Sequence, residues 1–211
     1  MSSLEEAFDG LVERFAADSY KTEVARARAD FDERTGRVFE EDELYEARTV
    51  AFLEWYVVSW PLVGLGRPPV EAALEDPRGA GDETRAAWRA WARSHLSVFG
   101  VNELREGEVV LEDLVGGARF VVDERRKLHG VSEGDVLTAR LLGWRDKIRF
   151  GRTFTYHPAA AWKAIEGQAA RILAEGGDRN AVVDHVESLR VRALRYKHVA
   201  PERLYEERAR D

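Results

Sequence analysis

Five histidines, His95, His129, His157, His185 and His198, are scattered along the chain. No two stand three or four residues apart, the spacing that sets two imidazoles on one helix face around a metal. There is no cysteine, which removes disulfides, Cys-ligated zinc, Fe–S clusters and thiol catalysis together. Asp30, Asp32, Gly36 and the acids from Glu40 to Glu43 faintly resemble a calcium loop. Such a loop needs oxygen ligands at alternate positions and glycine at the sixth. Counted from Asp30, those places hold Arg34 and Thr35. Gly64-Leu65-Gly66 runs into Arg67 and two prolines, without the Lys-Ser/Thr of a phosphate loop, and no GxSxG elbow occurs. Among the acids, Asp113 and Asp135 read as turn-formers. Glu54 stands out because aromatic residues flank it. No catalytic set, cofactor or metal is expected, so the chain reads as non-enzymatic.

Two groups of side chains could bind. Trp55, Tyr56 and Trp60 crowd one short segment, and Trp88 and Trp91 share a helix face three residues apart. Where such rings do not fill a seam between elements, they form a protein-docking patch. The second group is basic: Arg140, Arg145, Lys147, Arg149 and Arg152, with Trp144, Phe150 and Tyr156 among them. Basic and aromatic residues interleaved on a small barrel suit single-stranded nucleic acid. Strand alternation, however, turns some of those rings inward. Arg145 and Arg149 also resemble the RxxxR half of the motif with which PilZ domains bind cyclic di-GMP. The second half, [DN]xSxxG, fails: the nearest segment, Asp113–Ala118, precedes the arginines and lacks the serine.

Three regions must position these residues. The 211 residues carry 32 Lys and Arg against 39 Asp and Glu, a net charge of −7, which argues against a protein that coats nucleic acid. Residues 1–96 read as helical, from the spacing of Leu4, Phe8, Leu11 and Phe15, then Tyr20, Val24, Ala27 and Phe31. Ser2 or Ser3 is the expected first cap. A second helix is expected from near Glu41 to Trp60-Pro61, a short one from Pro68-Pro69 through Val70, Ala73 and Leu74, and another from an Asp82 cap through Trp88, Trp91 and His95. Residues 97–157 change period, and glycines punctuate about five short strands. Residues 158–211 return to helix: one opened by Pro158, one capped by Asn180, then the charged segment from Pro201. The expected fold is α+β: a helical N-terminal layer, a small five-stranded antiparallel β barrel and two C-terminal helices in one compact unit. No run of about 18 apolar residues exists to span a membrane. The acidic opening MSSLEEAFDG lacks an apolar signal core, so the cytoplasm is the expected compartment.

Two stretches resemble a known family. They are FLEWYVVSWPL at 52–62 with RPPVEAALED at 67–76, and SVFGV at 97–101 with VVLEDLVGGARFVVDE at 109–124 and GDVLTARLLG at 134–143. In order and spacing they resemble an uncharacterised bacterial protein family that often stands beside the SEC-C metal-binding motif. The resemblance covers residues 40 to 158. It implies a helical segment followed by a small β unit. The cysteines of the SEC-C motif are absent here, and with them its metal role. The leading expectation is a bacterial cytoplasmic interaction module, a regulator or adaptor. It would bind another protein, or a second copy of the chain, through Trp55, Tyr56, Trp60, Trp88 and Trp91, without membrane insertion. Nucleic-acid or nucleotide binding through the basic residues is the alternative. A hydrolase is the third, and it requires a concave pocket gathering Glu54 or a histidine of perturbed pKa.

Overall fold

The computed structural model describes residues 3–124, 131–196 and 198–206; His129, Ser2 and the charged end 207–211 lie outside the described residues. The N-terminal layer holds α1 (Ser3–Phe15), α2 (Lys21–Thr35), α3 (Tyr45–Ser59), α4 (Pro69–Glu75) and α5 (Asp82–Ala92). A 3₁₀ turn at Asp18–Tyr20 separates α1 from α2. The sheet is built from β1 (His95–Arg105), β2 (Glu108–Asp113), β3 (Arg119–Asp123), β4 (Val136–Trp144) and β5 (Lys147–His157). After a 3₁₀ turn at Ala159–Ala161 come α6 (Trp162–Ala174), α7 (Arg179–Arg195) and α8 (Pro201–Glu206). Among the described residues this makes eight α-helices and one five-stranded sheet. No helix among them is long and apolar enough to cross a membrane.

Local chemistry explains most boundaries. Leu4, Ala7, Phe8, Leu11 and Phe15 form the buried stripe of α1. Trp60-Pro61 ends α3 as expected, but α3 begins at Tyr45 rather than near Glu41. Asp82 is the first residue of α5, after Gly81, rather than its cap. His95 opens β1 instead of closing α5. Asp178, not Asn180, caps α7, its carboxylate accepting the Ala181 amide at 2.9 Å. Pro201 opens α8, a short helix beyond the two longer C-terminal ones, as its place at the head of the charged segment suggests.

The strands pair in the order β1-β2-β3-β5-β4, and β4 also pairs with β1. β1–β2, β2–β3, β1–β4 and β4–β5 are antiparallel. β3 and β5 run parallel and meet at one registered pair, Val122 with Ile148. The sheet is therefore mixed, and the expected all-antiparallel arrangement is corrected. The parallel contact arises because β4 and β5 form a hairpin that folds back across the sheet's open side, a non-local pairing. That hairpin turns on Arg145 and Asp146, both with positive φ (48° and 62°), the conformation of a two-residue type I′ turn.

The inner face of the curled sheet packs Phe99, Leu111, Val122, Leu137 and Phe150 against one another. One outer side meets the N-terminal helices, with Leu142 in their core. Another meets α6, α7 and α8 through Val98 and Val136. Gly100 permits that second contact: a Cβ there would run into the Trp162 ring.

Candidate functional site

Trp55, Tyr56, Trp88 and Trp91 are buried. Trp88 Nε1–H donates to the Ala7 carbonyl at 3.0 Å, and Trp91 Nε1–H to that of Leu4 at 3.1 Å. The pair thus grips α1. The Tyr56 hydroxyl donates to the Phe15 carbonyl at 2.6 Å, one of the carbonyls an α-helix leaves unpaired at its C-terminus. Trp60 is half-buried, its indole N–H on Glu23 at 2.6 Å. These rings fill the helical core, so the exposed aromatic patch expected at these positions does not form. Exposed apolar side chains lie elsewhere, among them Phe39, Val63, Leu65, Val121 and Tyr196. Val63 and Leu65 are 65% and 47% exposed.

Of the basic residues only Arg140 is buried; Arg145, Lys147, Arg149 and Arg152 keep exposed side chains that pair with acids. Arg140 is buried, donating from Nη1 to Ser94 Oγ at 3.0 Å. Arg145 pairs with Glu83, Lys147 and Arg149 with Asp123, and Arg152 with Asp9. Phe150 is buried, and Trp144 and Tyr156 are half-buried. Each cation of the expected nucleic-acid face thus already faces a carboxylate, and Arg140 is out of solvent.

Asp113, expected in a turn, is the fully buried end of β2. It accepts from Ser97 Oγ at 2.5 Å, Arg179 Nη1 at 2.5 Å and the Val115 amide at 3.0 Å, with His95 Nε2 at 3.0 Å. Burial works to raise its pKa; the bonds from Ser97, Val115, His95 and Arg179 outweigh burial and hold the carboxyl below its usual range. Serine, histidine and aspartate meet here without a triad's order. Ser97 gives its proton to Asp113 and has no bond to His95, so no base activates it. The cluster instead fastens α7 to the sheet through Arg179. Asp30 and Asp32 lie within α2, paired with Arg34 and Arg28. Among the described residues no group of three or more His, Asp or Glu could hold a metal.

Distance in sequence hides a cluster of buried charged side chains. Arg48 on α3 pairs with Glu187 on α7 at 2.7 Å, 139 residues away, and also donates to Thr35. His157 is held between Thr138 Oγ1 at 2.7 Å and the Tyr205 hydroxyl at 2.9 Å. Burial opposes charge on Glu187, but the adjacent His157 ring and Arg48 guanidinium hold its pKa down to about 2. Glu54 lies across from Arg140 at 3.6 Å, and its carboxylate accepts the Arg152 amide. Gly151 leaves room for it, since a Cβ there would stand 2.6 Å from Glu54 Oε1. Burial pushes the Glu54 carboxyl up, against the lowering pull of Arg140. Arg48, Glu54, Arg140 and Glu187 line one cavity of about 40 Å³ between α3, the sheet and α7. The cavity thus gathers Glu54 with a raised pKa, the condition set for a hydrolase. That carboxylate accepts the Arg152 backbone N–H.

A larger groove of about 520 Å³ lies beside α1 and α4, lined by Arg14, Tyr20, Leu65, Arg67, Glu75, Asp76 and Arg78 among others. The loop at its edge closes on itself. The Leu62 amide donates to the Arg67 carbonyl at 3.0 Å, and the Gly66 amide to that of Leu62 at 2.9 Å. Gly64 and Gly66 take the positive φ this tight path needs, 84° and 66°. Leu62 is buried as the loop's anchor, while Val63 and Leu65 point outward. Its glycines and prolines suit a loop, but nothing in the segment's sequence distinguishes the side chains left exposed. Comparison with protein-family models, curated proteins and solved structures gives no match for this chain.

Proposed function

We propose that the protein is a non-enzymatic interaction module, a regulator or adaptor, that docks a partner protein at the 62–67 loop and the groove beside it. One observation carries this reading: two large apolar side chains, Val63 and Leu65, stand in solvent on a loop closed by its own hydrogen bonds. Apolar contacts on a fixed scaffold, rimmed by polar groups, have the anatomy of an interface. The rim is Arg-rich. Arg14 and Arg78 share Asp76, and Arg67 pairs with Glu75, so three cations face two anions. A partner segment with an apolar anchor and a neighbouring acid complements it. The absence of cysteine suits the reducing cytoplasm.

The test places a photo-crosslinking residue at Leu65 in the native cells, with a second at Glu106, in the β1–β2 turn, as control. The expected result is one protein, or a second copy of the chain, joined at position 65 only. Val63→Asp abolishes the adduct while the purified variant melts as the parent does. No adduct at 65, or the same adducts from 106, overturns the reading.

Nucleic-acid binding is the second reading. It takes the curled sheet as a small, partly open five-stranded barrel of the OB type, a class that binds oligonucleotides on the face of strands 2 and 3. The ring of pairings and the parallel β3–β5 contact favour it. Charge opposes it. The register sets Glu103, Glu108, Glu112 and Asp123 on the outer face with only Arg105 and Arg119.

A further inference from the structure

The groove beside the 62–67 loop carries an arginine in an unfavourable backbone position. Pro77–Ala80 is a tight turn, its Ala80 amide donating to the Pro77 carbonyl at 2.9 Å. Arg78 and Gly79 hold the two central places with φ of 45° and 81°, the pattern of a type I′ turn. Glycine, asparagine and aspartate suit the first of these places, whereas a longer side chain is strained there. Arg78 pairs with Asp76, but the two side chains are 69% and 61% exposed. Ion pairs in such a setting contribute little to stability. Stability therefore does not account for an arginine here, and a strained residue lining a groove points to a use for its side chain.

The contacts of Arg78 show what it can receive. Its Nε donates to Asp76 Oδ2 at 3.0 Å, and Arg14 Nη2 donates to the same oxygen at 2.9 Å. Arg14 is fixed in turn on the Asp76 carbonyl at 2.7 Å. Among the described residues Arg78 has no other polar partner, so its Nη1 and Nη2 are open. A guanidinium tethered through Nε presents those nitrogens as a fork, two parallel N–H groups that match the two oxygens of a carboxylate. The groove sets the charge of the guest. Arg14, Arg67 and Arg78 stand against Glu75 and Asp76, and the other lining residues are uncharged. One positive charge is left over, which a single carboxylate neutralises. A phosphate dianion would exceed it and face Glu75 and Asp76 as well.

Resting on the docking reading above, we propose that Arg78 determines the specificity of this groove. Its fork receives the side-chain carboxylate of an aspartate or glutamate in the partner segment, beside the apolar residue that meets Val63 and Leu65. Random linear peptides displayed on phage are selected on the whole purified chain. Enriched peptides that fail to bind Val63→Asp are synthesised, and each is expected to carry Asp or Glu near an apolar residue. Exchanging that acid for Asn or Gln is expected to weaken binding to the parent chain about tenfold, and to leave binding to Arg78→Gly unchanged. Arg78→Gly relieves the turn, so it is expected to melt no lower than the parent, and a lost fold cannot imitate the result. Phosphoserine in place of the acid is expected to bind no more tightly. If no enriched peptide depends on Val63, the docking reading fails and this inference with it. Peptides that depend on Val63 but carry no acid, or an acid whose exchange weakens both chains equally, overturn the role of Arg78 and leave the docking reading standing. Tighter binding of the phosphoserine peptide overturns the choice of a carboxylate.

Discussion

Glu187 is ionised where burial alone would keep it neutral, and the sign of its shift fixes how stability responds to acid. Its folded pKa of about 2 lies below the ordinary carboxylate value. Its contribution is therefore complete above about pH 4.5 and is lost as pH falls toward 2, by about 3 kcal/mol. Asp184 behaves oppositely. Burial raises it to about 6, and its 3.0 Å pairing with Arg34 only partly offsets that. Through this group the fold loses stability as pH climbs from about 4 to 6. From these two groups, the urea midpoint is expected to peak between about pH 4 and 5. Glu187→Gln is expected to flatten the acid limb and, at pH 7, to cost about 3–5 kcal/mol, because Arg48 is left charged and buried. Asp184→Asn is expected to flatten the limb between pH 4 and 6. A profile unchanged by either substitution would show that other groups set it. At this scale the sequence was legible only in part. Glu54 drew notice from its aromatic neighbours and does sit in the polar seam. Arg48, His157 and Glu187 gave no signal, because their meeting depends on contacts between residues far apart in sequence.

At the scale of elements, the joints are more informative than the elements themselves. Trp162 at the head of α6 lies against Gly100 of β1. Gly100→Ala is expected to destabilise by about 1–3 kcal/mol through overpacking, and much less in a Trp162→Ala background. Equal costs in the two backgrounds would sink the account, since coupling is what contact means in such a cycle. The β4–β5 turn asks two non-glycine residues to take positive φ, at roughly 1–2 kcal/mol per residue. Replacing Arg145-Asp146 by Asn-Gly is expected to raise the thermal midpoint, because the exposed Arg145–Glu83 pair it removes contributes little. A lowered midpoint would mean that pair matters more than the turn. Helices with a clear apolar stripe, such as α1, could be read from spacing. The break between α1 and α2 could not, as Ala16, Ala17, Asp18 and Ser19 contain neither glycine nor proline. The parallel meeting of β3 and β5 was equally hidden, because strand alternation reports faces and not neighbours.

Across the whole molecule, the three regions that differ in pattern along the chain supply one another's buried partners. Glu187 of α7 neutralises Arg48 of α3. Tyr205 of α8 completes the bonds of His157. Arg179 of α7 reaches Asp113 at the end of β2. Removing the segment after His157 would leave a buried guanidinium, imidazole and carboxylate without these partners, each a cost comparable to a large fraction of a domain's net stability. The helical layer, the sheet and the C-terminal helices are therefore expected to unfold together. Tryptophan fluorescence reports mainly the N-terminal core, where Trp55, Trp88 and Trp91 are buried. Far-ultraviolet circular dichroism reports helices at both ends. The two urea transitions are expected to coincide, and a chain ending at His157 to lack a cooperative transition. Separated transitions, or a truncated chain that melts sharply, would mean that the polar seam joins parts able to fold alone, and the seam's charged groups would then have to be explained by binding rather than by assembly.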